Sequence, residues 1–221
     1  PEERVRVAYP GIDPVFRADG EAADLGGPYV LAVGTLEPRK NLPALVTAFA
    51  VLRQRHPELT LALAGLEGWE RRPLEAEGIR LLGFVSDEEL ARLYRGAAVF
   101  AYPSRFEGFG MPVVEALASG VPAVVSSHGS LDEACGDVAI RVDPEDTPAF
   151  AEALERALDQ RSDERATVGG AGVNIVLRID GGGGGSLGLG DDRRVDGSPV
   201  EDVFHGGQTQ RPVGHADDAD M

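Results

Sequence analysis

Two glutamates flank a glycine-rich bend in the stretch SRFEGFGMPVVEALASG, residues 104–120. Glu107 precedes Gly108 and Gly110, and Glu115 follows eight positions after the first acid. Each carboxylate can accept hydrogen bonds from two neighbouring hydroxyls, such as the diol of a sugar or a ribose. The glycines let the backbone approach a ligand closely and expose its amide groups. This pattern predicts a phosphate or diphosphate at the bend with a diol at each end, which is the layout of a nucleotide-sugar.

A helix that begins near Met111 and Pro112 adds partial positive charge beside the bend, which favours a bound phosphate. Proline is common at the first position of a helix, and Gly120 ends the helical pattern. Glu115 lies about one turn inside the helix, too far along to complement only its dipole. For either acid alone a structural role remains open, because glutamates often complement the dipole and glycines often mark turns. The combined spacing favours a ligand site.

A second loop, VGTLEPRKN at residues 33–41, carries adjacent cations in a strongly acidic chain. It follows an apolar strand pattern and precedes a helical one, so we expect it at the same edge of the sheet as the first loop. Lys40 would act as a point charge on phosphate and Arg39 as a planar fork. Asn41 is predicted to cap the next helix. A solvated loop with a helix cap is the alternative, but two such loops facing one crevice favour phosphate binding.

The chain has 221 residues and a formal net charge of -16. A surface of this sign repels phosphate backbones, which argues against nucleic acid and anionic membrane as main partners. The single cysteine, Cys135, excludes an internal disulfide and a cysteine-based zinc site and indicates a reducing compartment. The four histidines show no ligand spacing, so no metal is expected. Since no apolar run is long enough to span a bilayer, no integral membrane segment is expected.

Short apolar runs alternate with helical patterns through residue 166, which is typical of a Rossmann-like, doubly wound parallel sheet of the α/β class. Ser86 with Glu89 and Ser130 with Glu133 have the spacing of capping boxes, and Thr147 marks the start of a last helix. The predicted strands are YVLAVG, LTLALAG, IRLLGFV, AAVFAYPS, PAVVSS and AIRV. The predicted helices cover 41–57, 69–77, 86–95, 112–120 and 147–159, with a further short one after Ser130.

The composition changes near Ala166. Residues 167–221 hold 14 of the 29 glycines, including the run Gly181–Gly185. Such a segment cannot bury enough apolar surface to offset its ordering entropy, so a disordered tail is predicted. Within it only VNIVLRI, residues 173–179, is predicted to pair as a strand. Because the chain begins at Pro1 rather than at a methionine, we expect it to be a fragment.

The segment EGFGMPVVE resembles the signature of retaining glycosyltransferases with the GT-B fold, family four, in which seven residues separate two glutamates. VGTLEPRKNL is similar to the donor-phosphate loop of the mannosyltransferase-like branch of that family. LLGFVSDEELARLYRGAAVFAYPSRFEGFG and GSLDEACGDVAIRVDPED match the surrounding pattern, and PEERVRVAYPGIDPVF is similar to the linker before the donor domain. The resemblance covers about residues 1–160 and implies the C-terminal half of a GT-B fold. The expected parts are a linker and domain start at 1–27, a nucleotide-sugar-binding domain at 28–166 and an aberrant or disordered tail at 167–221.

Carried over position by position, the resemblance implies roles for individual residues. Glu107 would bind hydroxyls of the transferred sugar, Lys40 would neutralise the diphosphate and help it leave, and Glu115 would hold the ribose diol. Many members carry an arginine where this chain has Thr35, so Arg39 is expected to supply the missing charge. The remaining donor-binding positions, whose backbone would line the sugar, the diphosphate or the base, are Gly34, Thr35, Gly83, Phe84, Val85, Gly108, Phe109, Gly110 and Met111.

The same resemblance implies transfer of a hexose with retained configuration from GDP-mannose or a UDP-sugar, with no cofactor and no obligatory metal. The acceptor, a glycan or a lipid-linked saccharide, is expected to bind through an N-terminal domain outside this sequence. A cytoplasmic location is expected, with peripheral attachment to the inner membrane left open for the full-length protein. After about residue 166 the chain departs from the family pattern, which indicates a shifted reading frame or a mis-joined coding segment.

Other functions stay open at this point. The same domain could hold a nucleotide-sugar, or only the nucleotide, without turnover. A nicotinamide-dependent oxidoreductase requires a G-x-G-x-x-G bend after the first strand. GTLEPRK lacks that bend, and GFGMPV lacks its third glycine and follows the fourth strand. A sugar-nucleotide epimerase or a phosphorylase on the same architecture is not distinguished by these motifs.

Overall fold

The computed structural model describes residues 10–66, 76–168, 175–176 and 188–189. Its main sheet consists of β1 Tyr29–Val33, β2 Thr60–Ala64, β3 Ile79–Gly83, β4 Val99–Tyr102, β5 Ala123–Ser126 and β6 Ile140–Val142. The helices are α1 Leu42–Arg53, α2 Asp87–Gly96, α3 Met111–Ala118, α4 Gly129–Cys135 and α5 Thr147–Val168, and a 3₁₀ turn spans Pro38–Lys40.

The six strands are all parallel and lie in the order β3-β2-β1-β4-β5-β6. From β1 the chain moves outward to β2 and β3, then returns past β1 to build the other half of the sheet. At the point where the strand order reverses, the connections after β1 and β4 leave in opposite directions and open a crevice at the carboxyl ends of the strands. The predicted doubly wound sheet is confirmed, and the two loops singled out in the sequence follow these two strands.

Both faces of the sheet are covered, which explains why the strands read as continuous apolar runs. Successive side chains of a strand point to opposite faces. Tyr29 and Leu31 of β1 pack in the core formed with α2, α3 and α4. Val30 and Ala32 pack in a second core formed with α1 and α5. The loops at the strand ends are therefore carried by a scaffold that is buried on both sides.

Asn41 does not cap α1 through its side chain, contrary to the sequence prediction. It occupies the residue before the helix, but its backbone is left-handed, with φ of 52°, and its side chain makes no capping bond. Its buried amide donates instead to the carbonyl of Pro144, at 2.8 Å. This bond ties the Lys40 loop to the connection between β6 and α5.

The other helix predictions have mixed outcomes. The Ser86 cap is confirmed, since its hydroxyl accepts a bond from the Glu89 amide at 3.3 Å. The Ser130 capping box is wrong, because α4 begins at Gly129 and Ser130 lies inside its first turn. The helix predicted over 69–77 falls largely outside the described residues.

The last helix runs well beyond the predicted end at Asp159, to Val168. No glycine or proline interrupts the sequence until Gly169, so nothing in the local chemistry ends the helix earlier. The Arg161 side chain, in the first turn of this extension, donates to the carbonyls of Gly120 and Arg95, at 2.8 and 3.1 Å. Long-range contacts of this kind have no signature in the local sequence.

Most of the tail predicted to be disordered, 167–221, falls outside the described residues. Its one predicted strand segment does pair, since Ile175–Val176 lies antiparallel to Gly188–Leu189. Residues 191–221 lie wholly outside the described part of the chain. Within the described ranges, no helix combines the length and the apolar character that crossing a membrane requires.

Candidate functional site

The loops after β1 and β4 meet in a buried cluster of charges. The Lys40 ammonium lies 2.8 Å from Oε1 of Glu107 and donates to the hydroxyl of Tyr102 at 2.7 Å. Nη1 of Arg39 lies 2.9 Å from Oε2 of the same carboxylate. Lys40 and Glu107 are only 7% and 8% exposed. The structure therefore brings together all three residues that the sequence assigned to catalysis.

Backbone contacts hold the two loops in register. The Arg105 amide donates to the carbonyl of Arg39 at 2.8 Å, which joins the loops directly. The Arg105 side chain reaches the carbonyl of Pro38 and forms an ion pair with Glu145 at 2.6 Å. The Lys40 loop thus contacts both its partner loop and, through Asn41, the connection after β6. Its position is set by long-range bonds.

Ser130 supports the Glu107 loop, a role that the sequence interpretation missed. Its hydroxyl donates to the backbone carbonyl of Glu107 at 2.8 Å. The hydroxyl has a single hydrogen, and it is used in the bond to the carbonyl because a carbonyl oxygen only accepts. In the 3.0 Å contact between His128 Nδ1 and Ser130 Oγ, the histidine nitrogen is therefore the donor. A third strand end, after β5, therefore contributes to the crevice. The position of HGS, residues 128–130, directly after the predicted strand PAVVSS was the available signal.

The charge cluster keeps Glu107 ionised. Burial raises the pKa of its carboxyl. The hydrogen bond from Lys40 and the charges of Lys40 and Arg39 together lower this pKa by more than burial raises it, so the net pKa lies below the ordinary value. Burial and the nearby Glu107 charge raise the pKa of Tyr102, so its phenol stays protonated. Nε of Arg39 also donates to Oε2 of Glu37 at 2.8 Å. The site therefore contains two carboxylates, two cations and a neutral hydroxyl.

Glu115 lies in a separate environment on α3. Its Oε2 accepts a hydrogen bond of 3.2 Å from the hydroxyl of Tyr94 on α2. Burial raises the pKa of Glu115, the Tyr94 bond lowers it, and the charge of Asp87 raises it, with a net increase. Among the described residues, no hydrogen bond or ion pair joins Glu115 to the Lys40–Glu107 pair. The two acids of the motif are thus held by different partners.

The raised pKa of Glu115 predicts a pH dependence of nucleotide binding. If its carboxylate accepts ribose hydroxyls, affinity should be constant at neutral pH and fall as the pH drops through this raised pKa. Glu107, whose pKa is lowered, becomes protonated only at more acidic pH. Calorimetric titration with nucleoside diphosphate at several pH values measures the effect. A Glu115→Gln variant should show no such dependence, and an unchanged profile in that variant would refute the assignment.

A cleft of about 320 Å³ opens beside the charge cluster, at the carboxyl ends of β1, β2 and β3. Glycine and aliphatic residues line it, among them Gly34, Leu36 and Gly83. Of the residues expected near a base, Gly83 lines the cleft, whereas the Phe84 side chain is 75% exposed and Val85 packs against the core. Thr35 is half-buried between two lining residues. Such walls suit a flat, uncharged ring.

Geometry requires glycine at two positions in the loops that follow β1 and β4. Gly34 has a φ of +146°, and a Cβ there would lie 3.0 Å from Cε of Lys40. Gly110 has a φ of +100°, and a Cβ there would overlap the side chain of Leu131. It directly precedes Met111, the first residue of α3. By contrast, a Cβ on the exposed Gly108 meets nothing within 4 Å. Half-buried Phe109 lies between Gly108 and Gly110.

Both loops, the cleft and the Tyr94–Glu115 pair fall inside a match to the family described as Glycosyl transferases group 1, which covers residues 18–172. The chain belongs to this family. It is 42% identical over 146 residues to O-antigen chain mannosyltransferase B from Escherichia coli, covering 61% of this chain and 38% of that protein. It is 37% identical over 137 residues to mannosylfructose-phosphate synthase from Agrobacterium fabrum, covering 54% and 30%. The chain therefore spans well under half of these relatives.

Solved structures of related architecture support the fold assignment. Sucrose-phosphate synthase from Thermosynechococcus elongatus matches with a TM-score of 0.50 and 28% identity, over 63% of this chain and 38% of that one. A UDP-forming alpha,alpha-trehalose-phosphate synthase from Burkholderia vietnamiensis matches with a TM-score of 0.55 and 18% identity, over 64% and 39%, which shows the fold alone. The described domain of this glycosyltransferase chain has the Rossmann-like α/β architecture of a GT-B fold.

Proposed function

We propose that this chain is the donor-binding half of a retaining glycosyltransferase that moves a mannose-like hexose from a nucleoside-diphosphate sugar to a glycan or lipid-linked acceptor. The pairing of Lys40 and Arg39 with Glu107 at the switch point of the sheet carries the proposal. Membership of the family supports glycosyl transfer. The 42% identity to a protein named as a mannosyltransferase supports a mannose-like sugar.

The cations provide the chemistry that a departing diphosphate needs. An ammonium has three donors, and the described contacts of Lys40 use two of them, to Glu107 and Tyr102. The third can be donated to a phosphate oxygen. The Arg39 side chain is 44% exposed, so its guanidinium can reach phosphate oxygens on the solvent side of the site. Together they stabilise the charge that develops as the bond between sugar and phosphate breaks. The hydroxyl of the acceptor attacks the anomeric carbon from the same face, which retains the configuration. The departing diphosphate accepts the proton of that hydroxyl.

The acids then bind the two sugars of the donor. The Glu107 carboxylate has about four acceptor positions, of which Lys40 and Arg39 use two. The others can accept hydroxyls of the transferred hexose. Glu115, bonded to Tyr94 through one oxygen, can accept the ribose diol through the other. The cleft lined by Gly34 and Gly83 takes the base. No cofactor and no metal enter this scheme, and the acceptor binds through a separate domain of a cytoplasmic protein.

Titration of the 221-residue chain with GDP, UDP and their hexose conjugates tests this proposal. We expect micromolar to millimolar binding of one diphosphate, tighter binding of its sugar conjugate, and no binding of the matching nucleoside. Labelled GDP-mannose or UDP-hexose then reports turnover through release of the diphosphate. A folded chain that binds no nucleoside diphosphate would overturn the proposal.

A second candidate function is a binding module that holds the nucleotide-sugar without turnover. It is favoured by one observation, that the chain spans only 38% of the mannosyltransferase it resembles. Binding of the labelled donor without any released diphosphate would select this function. Slow hydrolysis or transfer to an added saccharide would select the enzyme.

Replacement of Glu115 by alanine should weaken nucleoside-diphosphate affinity by about 1–3 kcal/mol, because the ribose hydroxyls lose a charged partner. The effect should be equal for the diphosphate and its sugar conjugate, since Glu115 is assigned to the ribose. Calorimetric titration of both ligands measures it. Unchanged affinity in a folded variant would contradict the assignment.

A further inference from the structure

One continuous column of aromatic rings connects the two halves of the site. Phe16 packs edge-on against Tyr94, with ring centroids 5.9 Å apart. Tyr94 packs edge-on against Phe100 at 5.4 Å, and Phe100 stacks on Tyr102 at 5.7 Å. Both tyrosine side chains are almost fully buried. Their hydroxyls leave the column at different points: Tyr94 bonds to Glu115 and Tyr102 to Lys40.

We propose that Tyr94 and Tyr102 are positioning residues that orient the two ends of the donor separately. Tyr94 holds one oxygen of Glu115 so that the other faces the ribose diol, and Tyr102 directs the Lys40 ammonium toward the diphosphate. This inference rests on the proposed function, because it requires that Glu115 and Lys40 bind those two parts of the ligand.

The positioning role depends on the tyrosine hydroxyls and not on the rings. Phenylalanine would fill the same space in this core, as Phe100 does between the two tyrosines. A buried hydroxyl is unfavourable unless it finds a partner. Both hydroxyls find that partner in a residue of the candidate site, although α2 and β4 are different elements.

Each bond restricts a group that would otherwise rotate. The Glu115 carboxylate is partly buried on α3, and Tyr94 is its only described hydrogen-bond partner. The Lys40 ammonium lies between the Tyr102 hydroxyl and Glu107, so the phenol fixes one of its three donor directions. Burial raises the pKa of both phenols, which keeps them neutral. Neutral hydroxyls orient these charges without cancelling them.

Tyr29 provides a matched control in the same core. It is 1% exposed, and its hydroxyl donates to the carbonyl of Leu93 at 2.7 Å. A Tyr29→Phe variant therefore removes a buried phenolic hydrogen bond to a backbone carbonyl, not one to a side chain assigned to the ligand.

The test compares Tyr94→Phe, Tyr102→Phe and Tyr29→Phe with the unmodified chain, by calorimetric titration. The probes are the tighter-binding of GDP and UDP, its 2′-deoxy form and its monophosphate. The unmodified chain should prefer the ribose form and the diphosphate, each by about tenfold. Tyr94→Phe should lose most of the preference for ribose and keep that for the diphosphate. Tyr102→Phe should do the reverse, and Tyr29→Phe should keep both.

Equal loss of affinity for all three probes in either site variant would show a merely structural role and overturn the inference. Retention of both preferences would overturn it as well. If the unmodified chain binds the diphosphate but does not discriminate against the 2′-deoxy form, the ribose role of Glu115 fails and the Tyr94 part fails with it. If it binds no probe, the proposed function fails first. These outcomes separate the inference from the function on which it rests.

Discussion

Replacing Lys40 with methionine is expected to lower the free energy of unfolding by about 3 kcal/mol and to weaken nucleoside-diphosphate binding at least about a hundredfold. The side chains of Lys40 and Glu107 are 8% and 9% exposed, so the variant leaves a buried carboxylate that keeps Arg39 as its ion-pair partner among the described residues. It also removes the cation assigned to the phosphate. Chemical denaturation and calorimetric titration measure the two effects separately.

A double variant, Lys40→Met with Glu107→Gln, separates stability from function. Removing both buried charges should restore most of the lost stability, because replacing a whole pair is far less costly than breaking it. Nucleotide binding should not recover. Arg39→Met, at a side chain 44% exposed, should change stability by no more than about 1 kcal/mol. If Lys40→Met binds the diphosphate as tightly as the unmodified chain, the phosphate role is wrong.

Gly110→Ala is expected to destabilise the fold by about 2–4 kcal/mol, as left-handed backbone strain adds to overlap with a packed side chain. The φ of +100° at Gly110 and the overlap of its Cβ with Leu131 are the causes. Since Gly110 directly precedes α3, the strain should also displace the helix that carries Glu115. Thermal or chemical unfolding measures the loss.

Gly108→Ala, two positions away, is the matched control. Its Cβ meets no atom within 4 Å and its φ is not in the left-handed region, so stability should change by less than about 0.5 kcal/mol. Donor affinity should nevertheless fall, because the added methyl group would occupy the space through which the backbone approaches the sugar and the diphosphate. Equal stability losses in the two variants would contradict this account of the bend.

The architecture and the central pair could be predicted because their signals are local. Parallel strands buried on both faces produce apolar runs, and the loops with Lys40 and Glu107 each follow such a run. Topology then requires that the ends of neighbouring strands meet. The order of strands across the sheet is not local, but the repeated strand–helix pattern restricts it strongly.

The supporting contacts could not be predicted, because each joins residues far apart in sequence. Tyr94 and Glu115 are on different helices, and the local sequence assigns no partner to either tyrosine of the column. Ser130 has the spacing of a capping box with Glu133, yet its hydroxyl donates to the Glu107 carbonyl. Asn41 has the side chain of a helix cap, but its amide binds Pro144, 103 positions away. In each case a tertiary partner outcompetes the local one.

The extension of α5 beyond Asp159 has a practical consequence for anyone who trims this protein. Arg161 donates to the carbonyl of Arg95, in the last turn of α2, and to that of Gly120, just after α3. These are the helices that bear Tyr94 and Glu115. A shortened version that stops at Asp159 would retain every group assigned to the ligand. It would still lose the two Arg161 hydrogen bonds that link those two helices. Domain boundaries drawn from binding motifs alone would therefore yield a less rigid ligand-binding domain than the 221-residue chain contains.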